Sequence, residues 1–125
     1  MTDFKFLDSS VWIAYLLYAD EKARELIDQE GIFFTSVLSV FEVKRKLLKE
    51  KVEFVKITQA IQFMKKKSVI IMVSTDVCEE APRWSLPAMD SLIYESAQKN
   101  NVQLYTYDND FRGLQGVTVL SENDV

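Results

Sequence analysis

Five short apolar runs, "FKFLD" (4–8), "IFFT" (32–35), "VIIMV" (69–73), "VQLYTY" (102–107) and "GVTVL" (116–120), alternate with stretches of helical pattern. This alternation constrains the fold most. It reads β, α, α, β, α, α, β, α, β, and strands joined through helices need right-handed crossovers into a mostly parallel sheet covered by helices on both faces. The expected class is therefore α/β, with three α/β/α layers and five strands. A chain of 125 residues suits one domain over 1–125.

The helices have local punctuation. After the first strand the apolar residues of Ser10 to Tyr18 are nearly continuous, which predicts a buried helix. Asp20 is placed to cap "EKARELIDQE", and Gly31 to end it. Ser36 is a good N-cap for "VLSVFEVKRKLLKEK". In "EFVKITQAIQFMKKK", Phe54, Ile57, Ile61 and Met64 fall on one helical face, and terminal lysines suit the negative end of the helix dipole. The segment "STDVCEEAPRWSLPAM" holds both prolines and reads as partly loop before the helix "DSLIYESAQKN".

In such sheets ligands bind beyond the carboxyl ends of the strands, where strand order reverses. That rule selects acids. Asp8 follows the first strand, Glu42 lies in the helix after the second, Asp90 opens the helix before the fourth, and Asp108 and Asp110 follow the fourth in "TYDNDF". Each alone has a plain structural reading. Asp8 and Asp90 suit helix N-termini, Glu42 forms an S-x-x-E box with Ser39 and an i, i+4 pair with Lys46, and Asp108 with Asp110 fits an Asx turn. Taken together they share one cause, because gathered carboxylates repel and raise one another's pKa values unless a cation neutralises them.

Composition narrows the chemistry. The chain has no histidine and one cysteine, Cys78, which excludes a Cys/His zinc site, an internal disulfide and His-based acid–base catalysis. Oxygen ligands alone select a hard cation, Mg²⁺ or Mn²⁺. The longest apolar run, Val11 to Ala19, is far shorter than the ~20 residues of a membrane span, so the expected setting is cytoplasmic, with no membrane partner. A net charge of −4 opposes long-range attraction to nucleic acid, but "KRKLLKEK" (44–51) and "KKK" (65–67) are local basic clusters. Lys44, Lys46 and Arg112 are candidate phosphate contacts.

The order of these motifs resembles the PIN domain family. "FLDSSVWIAYL" is similar to its opening Asp motif and "TSVLSVFEVKRKL" to its second motif with a helical Glu. "AMDSLIYESA" resembles its D-x-L-I-x-x-x-A helix, and "LYTYDNDF" its closing T-x-D-x-D-F strand and turn. The size suits the VapC-like toxin branch. The resemblance implies a sheet in the order 3-2-1-4-5, a metal-binding and catalytic quartet of Asp8, Glu42, Asp90 and Asp108, and a supporting set of Asp110, Ser9 and Thr106. It further implies a Mg²⁺- or Mn²⁺-dependent endoribonuclease leaving 5′-phosphate and 3′-hydroxyl ends, with a small antitoxin protein as partner and a homodimer built on helices. Tyr94, Glu95 and Ser96 depart from the small residues common after the L-I pair. The stretch carrying Pro82 and Pro87 is short for the family, which bears on one wall of the substrate cleft.

Other readings are a stand-alone RNA-processing nuclease of the same family and a PIN-like module that binds RNA or protein without cutting, since fold does not imply function. A receiver-like phosphoacceptor fits worse, because "GVTVLSENDV" offers no Lys after the last strand.

Overall fold

The computed structural model describes residues 3–121. Strands β1 (Phe4–Leu7), β2 (Ile32–Ser36), β3 (Ser68–Ile71), β4 (Gln103–Thr106) and β5 (Val117–Val119) form one sheet in the order β3-β2-β1-β4-β5, with every pairing parallel. Helices α1 (Ser9–Tyr18), α2 (Glu21–Asp28), α3 (Val37–Lys49), α4 (Phe54–Lys67), α5 (Thr75–Glu80) and α6 (Ala88–Lys99) fill the connections. None of these is long and apolar enough to cross a membrane.

Side-chain alternation along β1 assigns the two cores. Leu7 joins Val11, Trp12, Ile27, Phe33 and Met64 under α1 to α4, while Phe6 points to the opposite face and packs with Ile93, Tyr94, Leu104 and Phe111. Trp12 is fully buried, and its indole N–H donates to Thr35 Oγ1 at 3.1 Å. Thr35 donates in turn to Ser68 Oγ at 2.9 Å, and Ser68 to the Met64 carbonyl at 2.7 Å. This chain of hydroxyls ties α1, β2 and the end of α4 together without leaving a buried donor unpaired.

The local caps form as expected where they depend on neighbours in sequence. Asp20 accepts from the Ala23 amide at 3.2 Å and Ser36 from the Leu38 amide at 3.1 Å. Gly31 does something else. Helix α2 ends at Asp28 with Gln29 as its extended C-cap, and Gly31, at φ +146°, lies against β1, where a Cβ would stand 2.9 Å from the Asp3 carbonyl oxygen. The glycine permits a close approach of backbone to backbone. The proline segment also holds more structure than its composition announces: Ser74 caps α5, and residues 81–83 continue as a 3-10 turn with Pro82 in its first positions. Pro87 then occupies the N-cap of α6.

Candidate metal and catalytic site

Strand β1 lies between β2 and β4, so chain order reverses there, and Asp8 immediately follows it. Asp8 occupies the N-cap of α1 with extended backbone angles, yet its side chain makes no capping hydrogen bond. The carboxylate turns to β4 instead. Asp8 Oδ2 accepts from Ser10 Oγ at 2.7 Å and from Thr106 Oγ1 at 2.8 Å, and the residue is 3% exposed. Burial raises its pKa, the two hydroxyls pull it back, and the first amides of the helix pull weakly in the same direction.

The same hydroxyls reach the next acid. The Asp108 amide donates to Thr106 Oγ1 at 3.0 Å, and the Tyr107 amide donates to Ser10 Oγ at 2.9 Å. Thr106, wholly buried at the end of β4, thus links the Asp8 carboxylate to the backbone that carries Asp108. Asp108 caps the 3-10 turn over residues 109–111, its Oδ1 accepting from the Asp110 amide at 2.9 Å. The Asx turn and the acidic cluster are one piece of structure.

Carboxylate oxygens of Asp90, Asp108 and Asp110 lie within 4.8 Å of one another. Asp90 comes from the first turn of α6. Its pKa is pushed up to about 7, first by desolvation, then by the charges of Asp8 and Asp108, a hydrogen bond shared with Asp108, and the charge of Glu42. Glu42, half-buried on α3, is also raised, by burial and by Asp8 and Asp108, with the Ser9 hydroxyl opposing. Its Oε1 is buried without a hydrogen-bond partner among the described residues. Asp8, Glu42, Asp90 and Asp108 are therefore one electrostatic neighbourhood at the sheet's carboxyl edge, and Asp110 joins it by its approach to Asp90 and Asp108.

Several expectations change in detail. The Ser39–Glu42 capping box does not form, because α3 starts at Val37 with Ser36 as its N-cap and leaves Ser39 Oγ, in the first turn, buried without a partner among the described residues. Lys46 pairs with Glu50 at 3.0 Å, not with Glu42. Asp110, expected as a supporting acid, lies with Asp90 and Asp108 as one of the three converging acids. Ser10 holds Asp8, whereas Ser9 faces Glu42. Arg112 donates to Asn109 Oδ1 at 2.9 Å in the turn that carries Asp110, and Lys44 is exposed.

The donor set fits a hard divalent cation. It offers only oxygen, the charges of Asp8 and Asp108 raise the pKa values of Asp90 and Glu42, and one buried Glu42 oxygen lacks a hydrogen-bond partner among the described residues. A cation would satisfy all three conditions together.

A groove of about 560 Å³ leads away from this edge, sharing Ser9 and Glu42 with it and running along α3. A separate pocket is lined by Ala81, Pro82, Trp84 and Leu86, in and just after the 3-10 turn that follows α5. There the Arg83 guanidinium lies over the Trp84 ring, and both donate to Glu95 Oε1, Arg83 at 3.1 Å and the Trp84 indole N–H at 2.8 Å. Glu95, on α6, is 5% exposed.

The family model for the PIN domain matches residues 5–117. No curated protein sequence matches the chain. Among solved structures, VapC20 of Mycobacterium tuberculosis, a sarcin–ricin-loop-cleaving toxin, superposes with a TM-score of 0.74 at 21% identity, covering 92% of this chain and 98% of its own. A toxin–antitoxin complex from Klebsiella pneumoniae gives 0.74 at 21% identity over 92% and 96%. VapBC2 of Rickettsia felis, bound to a DNA fragment from its promoter, gives 0.72 at 14% over 93% and 96%.

Proposed function

The chain belongs to the PIN domain family, and on that premise we propose that it is a Mg²⁺- or Mn²⁺-dependent endoribonuclease acting as the toxin of a VapBC-type pair. The observation that carries the reading is the convergence of Asp90, Asp108 and Asp110 beside buried Asp8 and the unpartnered Glu42 oxygen. Such an acidic edge is costly to fold unless a cation neutralises it.

Asp8, Asp90 and Asp108 would hold the cation, with Asp110 beside them; bound there, it would supply Lewis acidity toward the scissile phosphate and lower the pKa of a water. Ser10 and Thr106 fix Asp8 by hydrogen bonds to a single oxygen, and Thr106 fixes Asp108 through its amide. Preorganised ligands of this kind lose little orientation freedom at the moment of reaction. Asp90 gives up its proton near neutral pH and thereby completes the anionic set. Glu42, across the site on α3, orients the attacking water or binds a second ion.

The antitoxin and a homodimer belong to this reading as partners, and the cytoplasm as its setting. Support for the partner comes from neighbours solved as VapBC complexes, some with DNA. The test is RNA cleavage by the purified chain with Mg²⁺ or Mn²⁺, with EDTA, and with Asp8→Asn and Asp108→Asn. Cleavage should need the metal and vanish in both variants. Activity that survives both substitutions refutes the acid assignment, and a wild type that binds varied RNAs without cutting any of them points to a binding module.

A further inference from the structure

The groove along α3 is not explained by metal binding. Counting from Glu42, Arg45, Lys46 and Lys49 fall at i+3, i+4 and i+7, which places all four on one helical stripe, and all four line the groove. Lys46 is engaged by Glu50. Arg45 and Lys49 are exposed and make no ion pair among the described residues, although the chain as a whole carries four more acids than bases. Phe41, 58% exposed, stands at the same groove, and Ile13 and Met89 add apolar lining.

We propose that this groove is the track for single-stranded RNA flanking the scissile bond, with Arg45 and Lys49 contacting backbone phosphates and Phe41 stacking a base. The proposal rests on the nuclease reading above and adds the residues that position its substrate. Free cations beside an exposed aromatic ring on a groove are the usual elements of single-strand recognition. The seven-residue step from Glu42 to Lys49 spans about 10 Å of helix, at about 1.5 Å per residue. That length matches about three nucleotides at about 3.4 Å per stacked residue. An acidic peptide would also meet these cations. RNA is favoured because the groove opens onto the catalytic acids through Ser9 and Glu42, so a strand lying in it passes directly to the metal.

The experiment compares the wild type, Arg45→Gln/Lys49→Gln, the charge-conserving swap Arg45→Lys/Lys49→Arg, and Phe41→Ala, each as the full chain. Fluorescence anisotropy with a labelled single-stranded RNA in EDTA, where cutting is suppressed, is read as log Kd against log salt. Each phosphate contact contributes a slope of about 0.7 for single strands, so the double Gln variant should lose about 1.4 and the swap should keep wild-type slope. In Mg²⁺ or Mn²⁺ the double variant should raise KM about tenfold with kcat within about twofold, the pattern of lost uniform binding, tenfold being modest for two bonds to charged groups. Phe41→Ala should weaken binding at unchanged slope. An oligonucleotide trimmed to the nucleotides around the cleavage point should not distinguish wild type from the double variant. A double variant with wild-type slope and KM overturns the track while leaving the nuclease intact. Unchanged slope with an altered sedimentation coefficient overturns it in favour of a protein-binding face. A wild type that neither binds nor cuts RNA defeats the nuclease reading first, and the track with it.

Discussion

Asp90→Asn should stabilise the metal-free protein at pH 8 and much less at pH 5. The Asp90 carboxyl is raised from 3.8 to about 7 by desolvation and by the negative charge of Asp8, Asp108 and Glu42. Between those values the native state holds a proton that the unfolded chain has released. Stability therefore falls as pH rises from about 4 to about 7, and the loss is complete above that. From pH 5 to pH 8 the window covers about two pH units, or about 3 kcal/mol at about 1.4 kcal/mol each. Asp90 is only half-buried, so solvent screening reduces this by about half, to about 1–2 kcal/mol. Urea unfolding of EDTA-treated wild type and Asp90→Asn at both pH values and one ionic strength measures the difference. The variant's advantage should grow by about 1–2 kcal/mol toward pH 8, and millimolar Mg²⁺ should remove it by stabilising the wild type selectively. An advantage that is the same at both pH values, within about 0.5 kcal/mol, refutes the idea that these acids are held in mutual repulsion.

Thr106→Val should cost about 1–3 kcal/mol in urea unfolding, since it leaves the Asp108 amide without its acceptor and removes a donor from buried Asp8. Ser10→Ala should cost less, because Ser10 is only partly buried, and both variants should reduce RNA cleavage more than they reduce RNA binding. Glu95→Ala should lose about 1–3 kcal/mol by unpairing the Trp84 indole, and Glu95→Gln, which can still accept that bond, should lose less in the same melts. Gly31→Ala should cost about 1–3 kcal/mol by thermal or chemical denaturation, because a methyl group there meets the Asp3 carbonyl in a backbone conformation that alanine resists.

What was legible in the sequence is what neighbours in sequence decide. Asp20 and Ser36 cap helices through amides two or three residues away, and the strand–helix alternation follows from apolar periodicity, so both emerge from a linear reading. Gly31 was read as a helix stop because its real constraint is Asp3, across a pairing of strands. Ser9 and Ser10 differ by one step of helix, about 100°, and only the position of β4 decides which hydroxyl meets Asp8. The closeness of Asp110 to Asp90 is not legible locally, since nothing in the sequence reports how closely the turn after β4 approaches the first turn of α6. Arg45 and Lys49 were readable in principle: their spacing from Glu42 is helical, whereas Lys44 lies off that stripe.

The Arg83–Trp84–Glu95 arrangement carries a consequence for how such a chain diverges. Arg83 and Trp84 are anchored to the buried middle of α6, while Asp90 sits in that helix's first turn, about 7.5 Å earlier along the axis at about 1.5 Å per residue. Residues 81–87 run straight into that turn through Pro87, so a change in their length or packing acts on Asp90 as well as on Glu95. The segment and the acidic edge are therefore coupled through one helix, which narrows the lengths and sequences the segment can take.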